Sequence, residues 1–69
     1  MQPLKEGDLV VAYTGPEEDI RKNFYDRHGF GILIKIENID GLSIKRYFVK
    51  FTKSGQVIPF LRDGIRKYE

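Results

Sequence analysis

Two stretches of period-two alternation dominate the chain. From Ile32, the apolar Ile32, Ile34 and Ile36 alternate with Leu33, Lys35 and Glu37; from Tyr47, the residues Tyr47, Val49 and Phe51 alternate with Phe48 and Lys50. Successive side chains of a strand point to opposite sides, so this period belongs to strands with one buried face. Between them Asn38, Asp40 and Gly41 supply the positive-φ and side-chain hydrogen-bonding chemistry of hairpin turns. His28 to Phe51 therefore reads as a central hairpin. Upstream, Leu9, Val11 and Tyr13 alternate with Val10 and Ala12, which predicts a first strand over about Asp8 to Tyr13. Downstream, Lys53-Ser54-Gly55 marks a second turn, and Gln56 to Phe60 a fourth strand. Pro59 cannot donate to a ladder, which places that strand at an edge or at its own end. Leu61-Arg62-Asp63-Gly64 predicts a tight turn of 3₁₀ character, and Ile65 to Tyr68 a short last strand.

Thr14 to Arg27 breaks the alternation. Gly15 and Pro16 end the first strand, and Pro16 suits the first turn of a short helix, where its missing N–H has no intrahelical partner. Glu17, Glu18 and Asp19 follow, with Arg21 and Lys22 a turn later, matching the sign of a helix dipole at each end. A single helical turn or an ordered loop is expected, in a connection long enough to be functional or mobile. Of Phe24 and Tyr25 at its end, one ring is expected to cover the open end of a barrel and the other to be exposed. The whole is an all-β pattern: a small five-stranded SH3-like barrel with a long first loop, in one domain over residues 1–69. Closure would dispose of unpaired strand edges. The expected core is Leu9, Val11, Tyr13, Ile32, Ile34, Ile36, Tyr47, Val49, Phe51, Ile58 and Ile65.

With 69 residues, the chain is near the lower limit for a self-sufficient core. It has no cysteine, which rules out disulfides, thiolate metal sites and a cysteine nucleophile. No apolar run approaches a membrane span, and MQPLKEGD at the start has no signal-peptide character, so a soluble cytoplasmic protein with no membrane partner is expected. The net charge is only +2, but it is unevenly spread: residues 1–27 carry −2 and residues 28–69 carry +4. Lys35, Lys45, Arg46, Lys50, Lys53, Arg62, Arg66 and Lys67 are expected to point away from the core. They make either a solvated face that keeps the domain soluble or a surface for an acidic partner.

Catalytic chemistry has little to work with. His28 beside Asp26 is the one histidine, and a lone His in a loop leading into a strand is expected to be a turn residue rather than a general base. Glu17-Glu18-Asp19 lacks calcium-loop spacing, and Gly29-Phe30-Gly31 lacks the rest of a phosphate loop, so neither metal nor cofactor is expected. Binding is the more economical reading. Phe48, between Arg46 and Lys50 on the face opposite the core, could stack on a base, pack on a partner protein or complete the far side of a curled barrel. The candidate contact residues are Arg46, Phe48 and Lys50 with Lys35, Tyr25, Phe60 and Arg62. Phe24, Tyr25, Phe30 and Phe60 could also cluster at the barrel mouth. A methyl-lysine cage would draw on Tyr13, Tyr25, Phe30 or Phe51, without the tryptophan that gives the strongest cation–π contact.

Gly7-Asp8 followed by Val10-Val11, His28-Gly29 with Gly31, Ile36-Glu37, Gly41, Tyr47, Pro59 and Gly64-Ile65-Arg66 occur in an order that resembles one family. This is the RNA-polymerase-interacting domain of CarD-type regulators and transcription-repair coupling factors, a Tudor-like SH3 barrel. The similarity spans nearly the whole chain. It departs from the family where Thr14 to Arg27 separates the first strand from the His-Gly pair, and in lacking the helical DNA-binding region of the CarD type. The resemblance implies that an exposed sheet edge, in the third and fourth strands from Arg46 to Phe51 and Gln56 to Phe60, pairs with an edge of the RNA polymerase β subunit. Open beside it stand a DNA- or RNA-binding barrel using the basic strands, a viral or phage structural or assembly protein, and a methyl-lysine reader.

Overall fold

The computed structural model describes residues 3–13, 17–39, 41 and 43–68. Its elements are strand β1 (Leu9–Ala12), helix α1 (Glu18–His28), strands β2 (Gly31–Asn38), β3 (Lys45–Phe51) and β4 (Val57–Phe60), a 3₁₀ turn (Arg62–Gly64) and strand β5 (Ile65–Lys67). The strands form one antiparallel sheet in the order β4-β3-β2-β1-β5. No ladder joins β4 to β5 among the described residues, so the sheet is open and keeps two edges. No helix among the described residues is long and apolar enough to cross a membrane.

The connections follow the local chemistry. Gly41 (φ 75°) lies in the β2–β3 turn, closed by the Ile39 N–H donating to Ile44 C=O at 3.0 Å; Asp40, expected in the same turn, lies outside the described residues. Gly55 (φ 73°) closes the β3–β4 turn by donating its N–H to Phe51 C=O at 2.9 Å. Pro59 sits in an edge strand, where a missing N–H does least harm.

The first connection is more regular than the sequence suggests. The expected single turn is an eleven-residue helix, Glu18–His28. Its first turn carries Glu18 and Asp19 and its last turn Arg27, each complementing the dipole. Pro16, expected in the first turn, lies outside the described residues. Only Ile20, Phe24 and Tyr25 are large apolar residues in the helix, too few to show a helical period.

The larger correction concerns which face is the core. Val10, Leu33, Val49, Phe51 and Ile65 are fully enclosed and Tyr47 nearly so. Leu9, Tyr13, Ile32 and Ile34, expected inside, are exposed by 38% to 44%, and Val11 is half-buried. Register explains the inversion. Residues directly opposite in an antiparallel pair share a face. Leu33 lies opposite the buried Val49, and Ile32 opposite the exposed Lys50, so Leu33 goes in and Ile32 goes out. A β-bulge then interrupts β2 between Leu33 and Lys35, with Ile34 as the extra residue. Past it the phase changes, and Ile36 comes to lie opposite Tyr47, half-buried against the core.

Candidate docking surface

Helix α1 closes one side of the inner face. Phe24 meets Phe51 edge-on at 5.4 Å between centroids and Phe60 at 6.3 Å, while Phe51 and Phe60 are 5.9 Å apart. His28 is not a turn residue, as the sequence led us to expect, but the buried last residue of the helix, 7% exposed. Its ring lies 4.4 Å from Phe24 and 5.4 Å from Phe51, and its Nδ1 shares a 2.7 Å hydrogen bond with Ser54 Oγ in the β3–β4 turn. Main-chain bonds reinforce this junction: the Lys53 N–H donates to His28 C=O at 3.0 Å and the Thr52 N–H to Phe30 C=O at 2.9 Å. The Lys53 ammonium adds a bond to Asp26 C=O, and the Thr52 hydroxyl one to Phe30 C=O. Gly29 (φ 75°) turns the chain out of the helix and donates its N–H to Tyr25 C=O; a Cβ there would press on Thr52 and Lys53. His28 and Ser54 thus hold the helix to the hairpin, with the imidazole packed between rings. Among the described residues no group of three His, Asp or Glu side chains could hold a metal.

The outer face is chemically different. Arg46, Phe48 and Lys50 alternate with the buried Tyr47, Val49 and Phe51, so they stand on it together. Phe48 lies between Pro59 of β4 and Lys35 of β2, and the Lys35 ammonium is 5.9 Å from its ring centroid. Lys35 also pairs with Glu37 at 3.2 Å, an exposed bridge of small energetic weight. The side chains of Lys50 and Arg46 have neither a hydrogen bond nor an ion pair among the described residues.

The other candidate residues are dispersed. Phe60 belongs to the inner aromatic cluster, half-buried. Tyr25 is exposed on the helix and hydrogen-bonds to Tyr68, which raises its phenol above the ordinary value of 10.0; proximity of the Tyr68 and Asp26 charges adds to the rise. Arg62 is half-buried in the 3₁₀ turn, where its guanidinium donates to Ile65 C=O at 3.0 Å beside an open cleft formed with Ile44, Tyr47 and Leu61. The expected mouth cluster divides in two: Phe24 and Phe60 pack inside with Phe51, and Phe30 packs at a tilt against Tyr68, 5.1 Å between centroids, beside Tyr25. Tyr13, a candidate cage ring with these, is held between two guanidiniums, Arg21 at 4.6 Å and Arg66 at 4.3 Å.

Several outer-face residues escaped the sequence reading: Leu9, Ile32, Ile34 and Val57, all exposed. The signal was present in Leu9-Val10-Val11 and Ile32-Leu33-Ile34, which are apolar in both phases of a strand. No family model, no curated protein and no solved structure matches this chain.

Proposed function

We propose that this chain is a non-enzymatic docking module on an SH3-like, Tudor-like plan that binds a protein of the transcription machinery, an RNA polymerase β-type surface being its target. The free edge of β4 carries this reading. The Phe51 N–H donates to Gln56 C=O at 2.9 Å, so the alternation of an antiparallel ladder turns the polar groups of Ile58 and Phe60 toward β3 and those of Val57 and Pro59 away from it. The edge therefore offers the Val57 N–H and C=O and the Pro59 C=O. Such an edge is a template for an added strand, in which main-chain hydrogen bonds supply affinity and alternate side chains supply choice. Pro59 removes one donor and centres an added strand on Val57. The strand order, with a 3₁₀ turn before β5, supports the SH3-like plan. The engagement of His28 and Ser54 in holding the helix supports a role other than catalysis.

The test is a pull-down of purified bacterial RNA polymerase and of cell extract with the full chain. Recovery of the β subunit is expected. It should fall at least about tenfold for Val57→Pro, which deletes the outward N–H while sparing the ladder to β3. Failure of the wild-type chain to retain any polymerase subunit from either source would remove the polymerase assignment, and unchanged retention by Val57→Pro would remove the edge.

A further inference from the structure

The register of the sheet aligns one row of side chains across four strands of its outer face: Val57 of β4, Lys50 of β3, Ile32 of β2 and Leu9 of β1. A second row sets Pro59 beside Phe48 and Lys35, with Ile34 raised next to them by the bulge. Leu9, Ile32, Ile34 and Val57 are 38% to 48% exposed, so Leu9, Ile32 and Ile34 present water with a contiguous aliphatic surface, with Val57 on the far side of Lys50. Contiguous exposed apolar surface of this kind marks a site of interaction far more often than a scatter of single residues does.

Charge and side-chain type decide what fits there. Lys50 lies inside the apolar row, Lys35 beside Phe48, Arg46 farther along β3, and Arg66 opposite Val11. Glu37, a carboxylate of this face, is already paired with Lys35. A second copy of the chain would bring Lys50 and Arg46 against their own kind, and like-charge juxtaposition across an interface is costly. A single-stranded nucleic acid would satisfy the cations, but its bases need aromatic platforms; the two rows just described hold one half-buried ring, Phe48, among aliphatic side chains that do not stack. Aliphatic contacts beside Lys50 and Arg46, whose side chains have no partner among the described residues, match a protein segment whose leucine-like side chains are flanked by Asp and Glu. We propose that the outer face of the sheet binds an acidic amphipathic segment of a partner protein, with Ile32, Ile34, Leu9 and Val57 taking its apolar side chains and Lys50, Lys35 and Arg46 its carboxylates. This surface meets the main-chain edge of β4 at Val57, but it uses that residue's side chain and not its N–H and C=O, so side-chain and amide responses tell the two readings apart.

Selection of short random displayed peptides on the immobilised full chain tests it. Enriched sequences should combine Asp or Glu with Leu, Ile or Phe, and in methyl-resolved NMR of the wild-type chain the best of them should shift Ile32, Ile34, Leu9 and Val57. Affinity for that peptide should drop at least about tenfold with Lys50→Glu and with Ile32→Gln. A combined Lys35→Glu and Lys50→Glu chain should redirect the selection toward basic peptides. Circular dichroism checks that each variant is folded, and the redirected selection is a gain that misfolding cannot imitate. The proposal is overturned if no peptide is enriched, if enriched peptides are basic or indifferent to charge, or if single-stranded DNA binds the wild-type face and displaces the peptide. Sedimentation showing that the chain dimerises through these side chains also overturns it. Shifts confined to backbone amides of β4 would remove the face and leave the edge reading intact.

Discussion

The two faces of the sheet are made from the same kinds of residue and meet opposite fates. Inside, Val10, Leu33, Val49, Phe51 and Ile65 are fully enclosed. Outside, Leu9, Ile32, Ile34 and Val57 keep more than a third of their surface in water. Hydrophobicity did not choose between them, since Ile32 and Leu33 are nearly equivalent in that respect. The choice was made across the strands: Leu33 faces Val49 and Ile32 faces Lys50, so the polar member of β3 fixes the exposed face of β2. One glycine contributes as well. Gly31 lies opposite Phe51, where a Cβ would collide with Val49 Cγ1, so the inner phase of β2 begins with the one residue small enough to let the strands pack.

The comparison is broken most directly by truncating one residue on each face. Leu33→Ala should destabilise the domain by about 2–5 kcal/mol, as expected for an enclosed leucine that leaves a cavity. Ile32→Ala, its immediate neighbour, should change stability by no more than about 0.5 kcal/mol. Urea titrations of the pair decide the matter; equal losses would mean that the faces have been wrongly assigned. Gly31→Ala should cost about 1–3 kcal/mol by overpacking against Val49, read in the same titration. Deleting Ile34 should cost less than Leu33→Ala, because its loss restores regular alternation and leaves Leu33 opposite Val49 and Ile36 opposite Tyr47. Cross-strand nuclear Overhauser contacts between Ile36 and Tyr47 would verify that register. The smallest effect concerns Tyr25. Its raised phenol pKa means that the Tyr68 bond helps the folded state below the ordinary tyrosine range and that this help is lost as the pH climbs through the raised value. An ultraviolet titration should show its ionisation moving down, toward the free-tyrosine value, in Tyr68→Phe.

Much of the architecture was legible because single residues carried it. Gly41 and Gly55 marked the turns, Pro59 the edge, and Leu61 to Gly64 the 3₁₀ turn. Tyr47, Val49 and Phe51 showed their phase because lysine and arginine occupy the other one. That contrast also put Arg46, Phe48 and Lys50 on one surface. Where neither phase was polar, in Leu9-Val10-Val11 and Ile32-Leu33-Ile34, alternation had no sign, and the bulge at Ile34 broke the period that Ile36 had suggested. The helix was hidden for a different reason. It is anchored by Phe24 and by a histidine, and no apolar stripe along it announces a buried side. The third strand proved to be interior, flanked by β2 and β4, which leaves β4 as the edge on that side.

The junction of His28 with the β3–β4 turn makes the helix a reporter on the sheet. An eleven-residue helix with so few apolar residues is marginal alone. Its end is fastened through Lys53, Thr52 and Ser54, residues more than twenty positions away in the chain. The amides of Gly29, Thr52 and Lys53 should therefore exchange with solvent as one cooperative unit rather than by separate fraying. Any event that steadies or loosens the β3–β4 hairpin, such as a strand settling on β4, should be transmitted to helical content. The protein's helical circular dichroism would then be an intrinsic gauge of what its sheet edge is doing.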